Sequence, residues 1–241
     1  MKVAILSDIH GNISALQNVF EDLKSSSVDG LILLGDIIDY GQHSNEVIDY
    51  LEKQDINIIC NIWGNHEDAI CNDRYERFSS PRGVVCAKHT KDLLNEKSWD
   101  YLNNKMIPSG MKEFELDGKK VLAIHGSVED EYWKAIKIDS SLDPYKYYDI
   151  VLSGHSHIPH YFEKYYVSDN VEMRNKKKTI FINPGSVGQP RNHNNKAQYV
   201  IYDTDTEDCD FRKVKYDIAF EQNAFDESVD EFYKDRLGFG V

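Results

Sequence analysis

Asp8-Ile9-His10, Gly35-Asp36, Gly64-Asn65-His66-Glu67, His125-Gly126 and Gly154-His155-Ser156-His157 distribute carboxylates, imidazoles and one amide over five short pieces of a 241-residue chain. Imidazole favours zinc, iron, manganese or nickel, whereas magnesium asks mainly for carboxylates and water, so this donor set suits borderline cations. A pair of such ions held roughly 3.5–4 Å apart is the usual apparatus for attacking a phosphate ester with metal-bound hydroxide, each ion lowering the pKa of its water towards about 7. That chemistry needs no protein nucleophile.

Each piece lies just past an apolar run or inside a glycine-bearing loop. Val3 to Leu6 and Leu31 to Leu34 are near-continuous apolar runs ending in Ser-Asp and Gly-Asp, which is how strands covered on both faces of a parallel sheet read. Between them Ala15, Leu16, Val19, Phe20 and Leu23 recur at helical spacing, with Asn12 or Ser14 placed to cap, so the segment reads as a βαβ unit. Residues 45–51 repeat the helical signal and Ile56 to Cys60 supplies a third strand. All five pieces can then converge on the carboxyl edge of a sheet, where open α/β folds place their ligands. The chain is expected to leave strand geometry at Asp8–His10 and His155–His157, a departure that Gly11 and Gly154 permit.

Residues 67–105 read as a helical insert beside the site, carrying Arg74, Tyr75, Arg77, Phe78 and Trp99. Strands are expected again at 112–116 and 120–124, joined across Asp117-Gly118, then at 149–152, 161–166, 179–182, 198–203 and 211–216. One closing amphipathic helix is expected from Ile218 to Leu237. No repeat or Pro/Ser-rich linker marks a boundary, so residues 1–241 read as one domain. The run Lys176-Lys177-Lys178 reads as a solvated hairpin tip.

The ordered set Asp-x-His, Gly-Asp, Gly-Asn-His-Glu, a single His and Gly-His-x-His resembles the signature of the calcineurin-like metallophosphoesterase superfamily. The resemblance implies an α/β fold of four layers, an α/β/β/α sandwich of two mixed sheets flanked by helices. It further implies that Asp8, His10 and His157 hold one metal, that Asn65, His125 and His155 hold the other, and that Asp36 bridges both. The expected cofactors are two divalent or trivalent ions, manganese and/or iron, with zinc or nickel as alternatives. His66, outside that ligand set, is expected to contact the phosphoryl oxygen or protonate the leaving alkoxide. Glu67 reads either as an orienting partner of His66 or as a helix-start acid favoured by the macrodipole.

Beyond the signature, Asn183-Pro184-Gly185-Ser186-Val187-Gly188-Gln189-Pro190-Arg191 is a loop of strong turn chemistry ending in a guanidinium, and small bacterial members of that superfamily carry a similar loop. Asn183 and Ser186 are candidates, on the substrate-binding side, for orienting metal-site residues, and Arg191 for clamping a non-bridging phosphate oxygen. Tyr132, Trp133, Tyr145, Tyr147 and Tyr148, with Tyr40 and Trp63, are candidates for a wall on which a nucleobase stacks; the alternative for each is ordinary core or rim. His43, His89, His160 and His193 read as surface residues outside the site.

The expected activity is hydrolysis of a phosphomonoester or phosphodiester on a small phosphorylated metabolite, a nucleotide or a phosphoprotein. An asymmetric dinucleoside polyphosphate hydrolase is the alternative that the aromatic stretch suggests, and a non-enzymatic metal-binding scaffold is a third. The formal charge of −13 argues against general nucleic-acid or anionic-membrane binding, which depends on Lys and Arg releasing counterions. Four cysteines without CxxC spacing read as ordinary thiols of a reducing compartment. With no basic-apolar leader and no long uncharged apolar stretch, the expected location is the cytoplasm.

Overall fold

The computed structural model describes every residue of the chain except Ser168 and residues 174–176. Lys176, the first residue of the lysine run, lies outside the described residues. Ten strands form among those described: β1 (Lys2–Leu6), β2 (Gly30–Leu33), β3 (Ile58–Asn61), β4 (Met111–Leu116), β5 (Lys119–Ile124), β6 (Ile150–Ser153), β7 (His160–Tyr165), β8 (Lys178–Asn183), β9 (Ala197–Asp203) and β10 (Cys209–Val214). The helices are α1 (Ile13–Leu23), α2 (Ser44–Glu52), α3 (Asn65–Asn72), α4 (Pro81–Leu93), α5 (Glu96–Asn104), α6 (Ile218–Asn223) and α7 (Glu231–Phe239).

The strands make two mixed five-stranded sheets, ordered β10-β9-β1-β2-β3 and β4-β5-β6-β8-β7. In the first, β1, β2 and β3 run parallel, β9 returns antiparallel beside β1, and β10 is antiparallel to β9 and so runs in the direction of β1; in the second, β5, β6 and β8 are parallel between antiparallel edges β4 and β7. Side chains alternate across each strand. Val3, Ile5, Ile32 and Leu34 of one sheet therefore meet Val121, Ala123, Ile150, Leu152, Ile180 and Ile182 of the other in a central apolar layer. Ala4, Leu6, Leu31 and Leu33 face outward onto α1, α2 and α5. Burying each such Val, Leu or Ile contributes about 1.5–3 kcal/mol, so both faces of both sheets must be covered.

This is the expected four-layer arrangement, with a thin fourth layer. Leu122, Ile124, Val151 and Phe181 on the outer face of the second sheet are covered by Ile136, Leu142 and Tyr145 from the segment between β5 and β6, which contains a 3-10 turn at Asp143–Tyr145. Asp117-Gly118 makes the β4–β5 hairpin with both residues at positive φ, as a type I′ turn requires. Residues 65–104 run through α3, α4 and α5, with a 3-10 turn at Tyr75–Arg77.

The single closing helix expected at 218–237 is two helices instead. Asp226 accepts from the backbone of Ser228, and Asp230 caps α7 by accepting from Phe232 at 2.9 Å, so local side-chain bonds end one helix and start another. Lys178 is no free hairpin tip either: it opens β8 and pairs with Glu163 and Glu207. The cysteines are all free. No helix among the described residues is long and apolar enough to cross a membrane.

Candidate metal centre

The loops that follow β1, β2, β3, β5, β6 and β8 meet at one edge of the sandwich, so both sheets deliver side chains to a single place. All seven expected donors come together there and fall into two sets. Ligand atoms of Asp8, His10, Asp36 and His157 lie within 4.8 Å of one another, as do those of Asp36, His125 and His155, and Asp36 belongs to both sets. Asn65 joins the second, its Oδ1 lying 2.9 Å from His125 Nε2 and 2.9 Å from His155 Nδ1. Six of the seven are buried, and His155 is half-buried.

The backbone reaches this arrangement at a cost. Asp8, His10, Asp36, His155 and His157 all sit at positive φ, between 48° and 63°. For residues with a Cβ that conformation costs roughly 1–2 kcal/mol each, and such strain collects where function over-determines the backbone. The departure from strand geometry is thus made by the donors themselves. Gly11 shares the positive φ, but Gly154 does not. Gly154 is needed for closeness instead: a Cβ there would come within 2.2 Å of Ser7 Oγ. Gly64 is similar, since its Cβ would lie 2.1 Å from Asp36 Oδ1.

The donor chemistry fits cations. His10, His125 and His157 each direct Nδ1 at a main-chain carbonyl, of Ile38, Leu34 and Gln189 respectively, at 3.2, 2.7 and 2.6 Å. A carbonyl only accepts, so Nδ1 carries the proton and Nε2 presents a lone pair to the cluster. His10 Nε2 and His157 Nε2 then face each other at 3.2 Å, and both oxygens of buried Asp8 accept no hydrogen bond. Facing lone pairs and an unsatisfied buried carboxylate call for a positive charge between them. Burial opposes charge on His125, but the carboxylate of Asp36, 3.3 Å away, outweighs it and raises the imidazole to about 9. Burial is also the main influence on Asp36, yet His125 and His66 hold its carboxyl well below the usual range. Burial and the neighbouring His125 push His155 down to about 4.

His66 stands beside this cluster, its Nε2 3.9 Å from Asp36 Oδ2. Its backbone N–H donates to Asp36 Oδ1, and its Nδ1–H donates to Asp39 Oδ2 at 2.6 Å. Asp39 is fully buried and also accepts from Thr90 Oγ1 at 2.7 Å. Asp39, rather than Glu67, is therefore the orienting partner of His66. The available signal was an acid three residues after Asp36 in the same loop. Glu67 does something else: its carboxylate accepts from the amides of Gly64, Asp36 and Ile37 at 2.7–2.8 Å, capping α3 and fastening the Asp36 loop to it.

A cavity of 370 Å³ opens over the cluster, lined by Asp36, Asn65, His66, His155 and His157 on its floor and by Tyr40, Arg77, Phe78, Ser79, Trp133 and Arg191 around it. Arg191 bonds Gln189 Oε1 while its Nε is buried without a partner. Asn183 and Ser186 do not line the cavity. They hold its walls from behind, Asn183 Nδ2 donating to Gly154 O at 2.8 Å and Ser186 Oγ to Asp8 O at 2.7 Å. Of the aromatic candidates, Trp133 and Tyr40 reach the cavity. Trp63, Tyr132 and Tyr145 are core residues, and Tyr147 and Tyr148 line a different depression. His193 is exposed, His43 and His89 bond Glu221 and Gln42, and His160 is half-buried with an unpartnered Nε2; none joins the donors.

A model of the calcineurin-like phosphoesterase superfamily domain matches residues 1–207. MJ0912, an uncharacterized protein of Methanocaldococcus jannaschii, is 31% identical over 223 residues, which cover 90% of this chain and 88% of its own length. A metallophosphoesterase from Sphaerobacter thermophilus superposes over the full length of both chains with a TM-score of 0.77 and 28% identity. The hypothetical protein PH1004 from Pyrococcus horikoshii OT3 shares the fold with a TM-score of 0.79 at 21% identity, over 100% of this chain and 98% of its own. By its family match, its fold and its ordered motifs, the chain belongs to the calcineurin-like phosphoesterase superfamily.

Proposed function

We propose that the protein is a dinuclear metal-dependent phosphoesterase that hydrolyses phosphomonoesters or phosphodiesters of small phosphorylated compounds. One observation carries this reading: seven buried or half-buried donors divide into two sets that share Asp36, and four of them, Asp36, Asn65, His155 and His157, line the floor of an open cavity. Asp8, His10 and His157 would hold one ion and Asn65, His125 and His155 the other, and manganese or iron suits such mixed imidazole and oxygen ligation. The ions would supply Lewis-acid stabilisation of phosphoryl charge and an activated water at neutral pH.

The chain supplies the rest. Arg191 lines the cavity with its Nε unpartnered, so its guanidinium can take a non-bridging oxygen. His66, anchored through Nδ1 by Asp39, presents Nε2 to the cavity, where it can hold the proton that an alkoxide leaving group needs. Phe78 and Trp133, with ring centroids 5.3 Å apart, give the cavity an aromatic side. That side favours, as a second reading, a nucleotide leaving group such as that of a dinucleoside polyphosphate. A non-enzymatic scaffold is disfavoured because every donor and His66 are retained.

The test is hydrolysis of an aryl phosphate, its bis-ester and diadenosine tetraphosphate by manganese-loaded protein, beside His66→Ala and Asp36→Asn. Turnover suppressed by either substitution supports the reading, and the preferred substrate separates its two forms. Absence of turnover on all three substrates refutes it.

A further inference from the structure

Among the described residues, Arg74, Arg77 and Arg212 are ion-paired, with Asp68, Asp130 and Asp22. Arg82, Arg191 and Arg236 pair with no carboxylate side chain, although acids outnumber bases 41 to 28 in this protein. The guanidinium carbons of Arg82 and Arg236 sit 3.8 and 4.8 Å from the centroid of one ring, Phe232. Burial and the positive charges of Arg191 and Arg82 push Arg236 down to about 10. Arg82 is the second residue of α4, where the helix dipole disfavours a cation. A cation at Arg236 that two other arginines oppose, and a cation at Arg82 set against a helix dipole, are poorly explained by stability alone.

Their framework is built. α7 stacks Tyr233 on Tyr40 at 4.6 Å, and Tyr40 lies 4.6 and 4.4 Å from the rings of His10 and His66. The far end of α7 is tied to the stretch after Arg191, because Gly240 O accepts from the His193 amide at 2.8 Å and Gly238 O from Asn195 Nδ2 at 3.0 Å. Arg236 Nε donates to the main-chain oxygen of Val241. Arg236, Phe232 and Tyr233 all come from beyond residue 207, where the family match ends.

We propose that Arg82, Arg191 and Arg236 form a second anion subsite on the rim beside the metal-donor cluster, so that the substrate is a phosphoester whose leaving group carries a further negative charge. Arg191, which lines the cavity, links the two places. This rests on the phosphoesterase reading for the first phosphate, but the subsite is testable without it.

The experiment titrates the metal-free full chain calorimetrically with methylenediphosphonate and with methylphosphonate. Wild type is expected to bind the diphosphonate at least about ten-fold more tightly, since each charge-assisted contact is typically worth about that factor or more. Arg82→Gln and Arg236→Gln should each cut the preference to about three-fold or less, whereas Arg236→Lys should keep it. Arg82 is exposed at a helix start, so its substitution leaves the fold intact and guards against misfolding of the Arg236 variants. No preference in wild type, or a preference that survives both Gln variants, overturns the subsite. A second arm compares hydrolysis of fructose 1,6-bisphosphate and fructose 6-phosphate by metal-loaded protein. Loss of turnover on both with the binding preference intact sinks the phosphoesterase reading alone; turnover of both at equal efficiency without a binding preference sinks the subsite alone.

Discussion

Replacing Asp39 by Asn removes one charge from a fully buried site and keeps its shape. Asp39 Oδ2 accepts from His66 Nδ1 at 2.6 Å and Oδ1 accepts from Thr90 Oγ1 at 2.7 Å, and an amide oxygen can retain one of these bonds. What it cannot retain is the attraction between a carboxylate and an imidazolium. At a charge separation of about 4 Å and an effective dielectric constant near 20, that attraction is about 4 kcal/mol. Allowing for the hydrogen bond that remains, the variant should lose about 2–3 kcal/mol of the stabilisation of a protonated His66, or about 30–150-fold in kcat where His66 must donate that proton. The assay compares an alkyl phosphate, whose leaving alkoxide needs the proton, with a nitrophenyl phosphate, whose leaving group does not. The alkyl substrate should show the full loss, and the activated one less than about five-fold. Metal content, measured in parallel, should be unchanged. Equal losses on both substrates, or no loss on the alkyl ester, would refute the placing of His66 as proton donor and of Asp39 as its positioning residue.

Glu67→Ala strands three backbone amides that the carboxylate now receives at 2.7–2.8 Å, and should cost about 4 kcal/mol in urea unfolding; a loss under about 1 kcal/mol would contradict its role as the fastener of the Asp36 loop. His43 donates to buried Glu221 at 2.9 Å, and that bond raises the imidazole above its ordinary 6.5. Because the folded value is the raised one, the pair's stabilisation is full below 6.5 and fades as pH rises through the folded pKa. The stability gap between wild type and His43→Gln should therefore narrow from pH 6 to pH 8, and a constant gap would show that the pair does not titrate in this way. Ser27 is exposed at φ 44°, so Ser27→Gly should raise stability by roughly 0.5–1 kcal/mol, measured as a higher urea midpoint, and an unchanged or lower midpoint counts against the strain argument.

Much of this was legible in the sequence because metal donors are chemically distinctive and follow strands that are apolar on both faces. The runs at Val3–Leu6 and Leu31–Leu34 face apolar layers on both sides, and the loops after them carry Asp8, His10 and Asp36 to one edge. Three features were not legible. Asp39 looks like any turn acid until the fold carries it to His66 Nδ1. The break between α6 and α7 depends on the bonds of Asp226 and Asp230 to nearby amides, which compete with an amphipathic pattern that runs straight through them. Tyr132, Tyr145 and Trp63 share the composition of a stacking wall, but burial is decided by tertiary packing, which put them in the core and left Trp133 and Tyr40 at the cavity.

The central claim is that two cations share Asp36. Elemental analysis of the purified protein after loading with manganese or iron, beside Asp36→Asn, tests it most directly. The account predicts two metal ions per chain in wild type, at most one in the variant, and phosphoester turnover only in the former. Wild-type protein that holds one ion or none after loading, or an Asp36→Asn protein that still holds two, would contradict it.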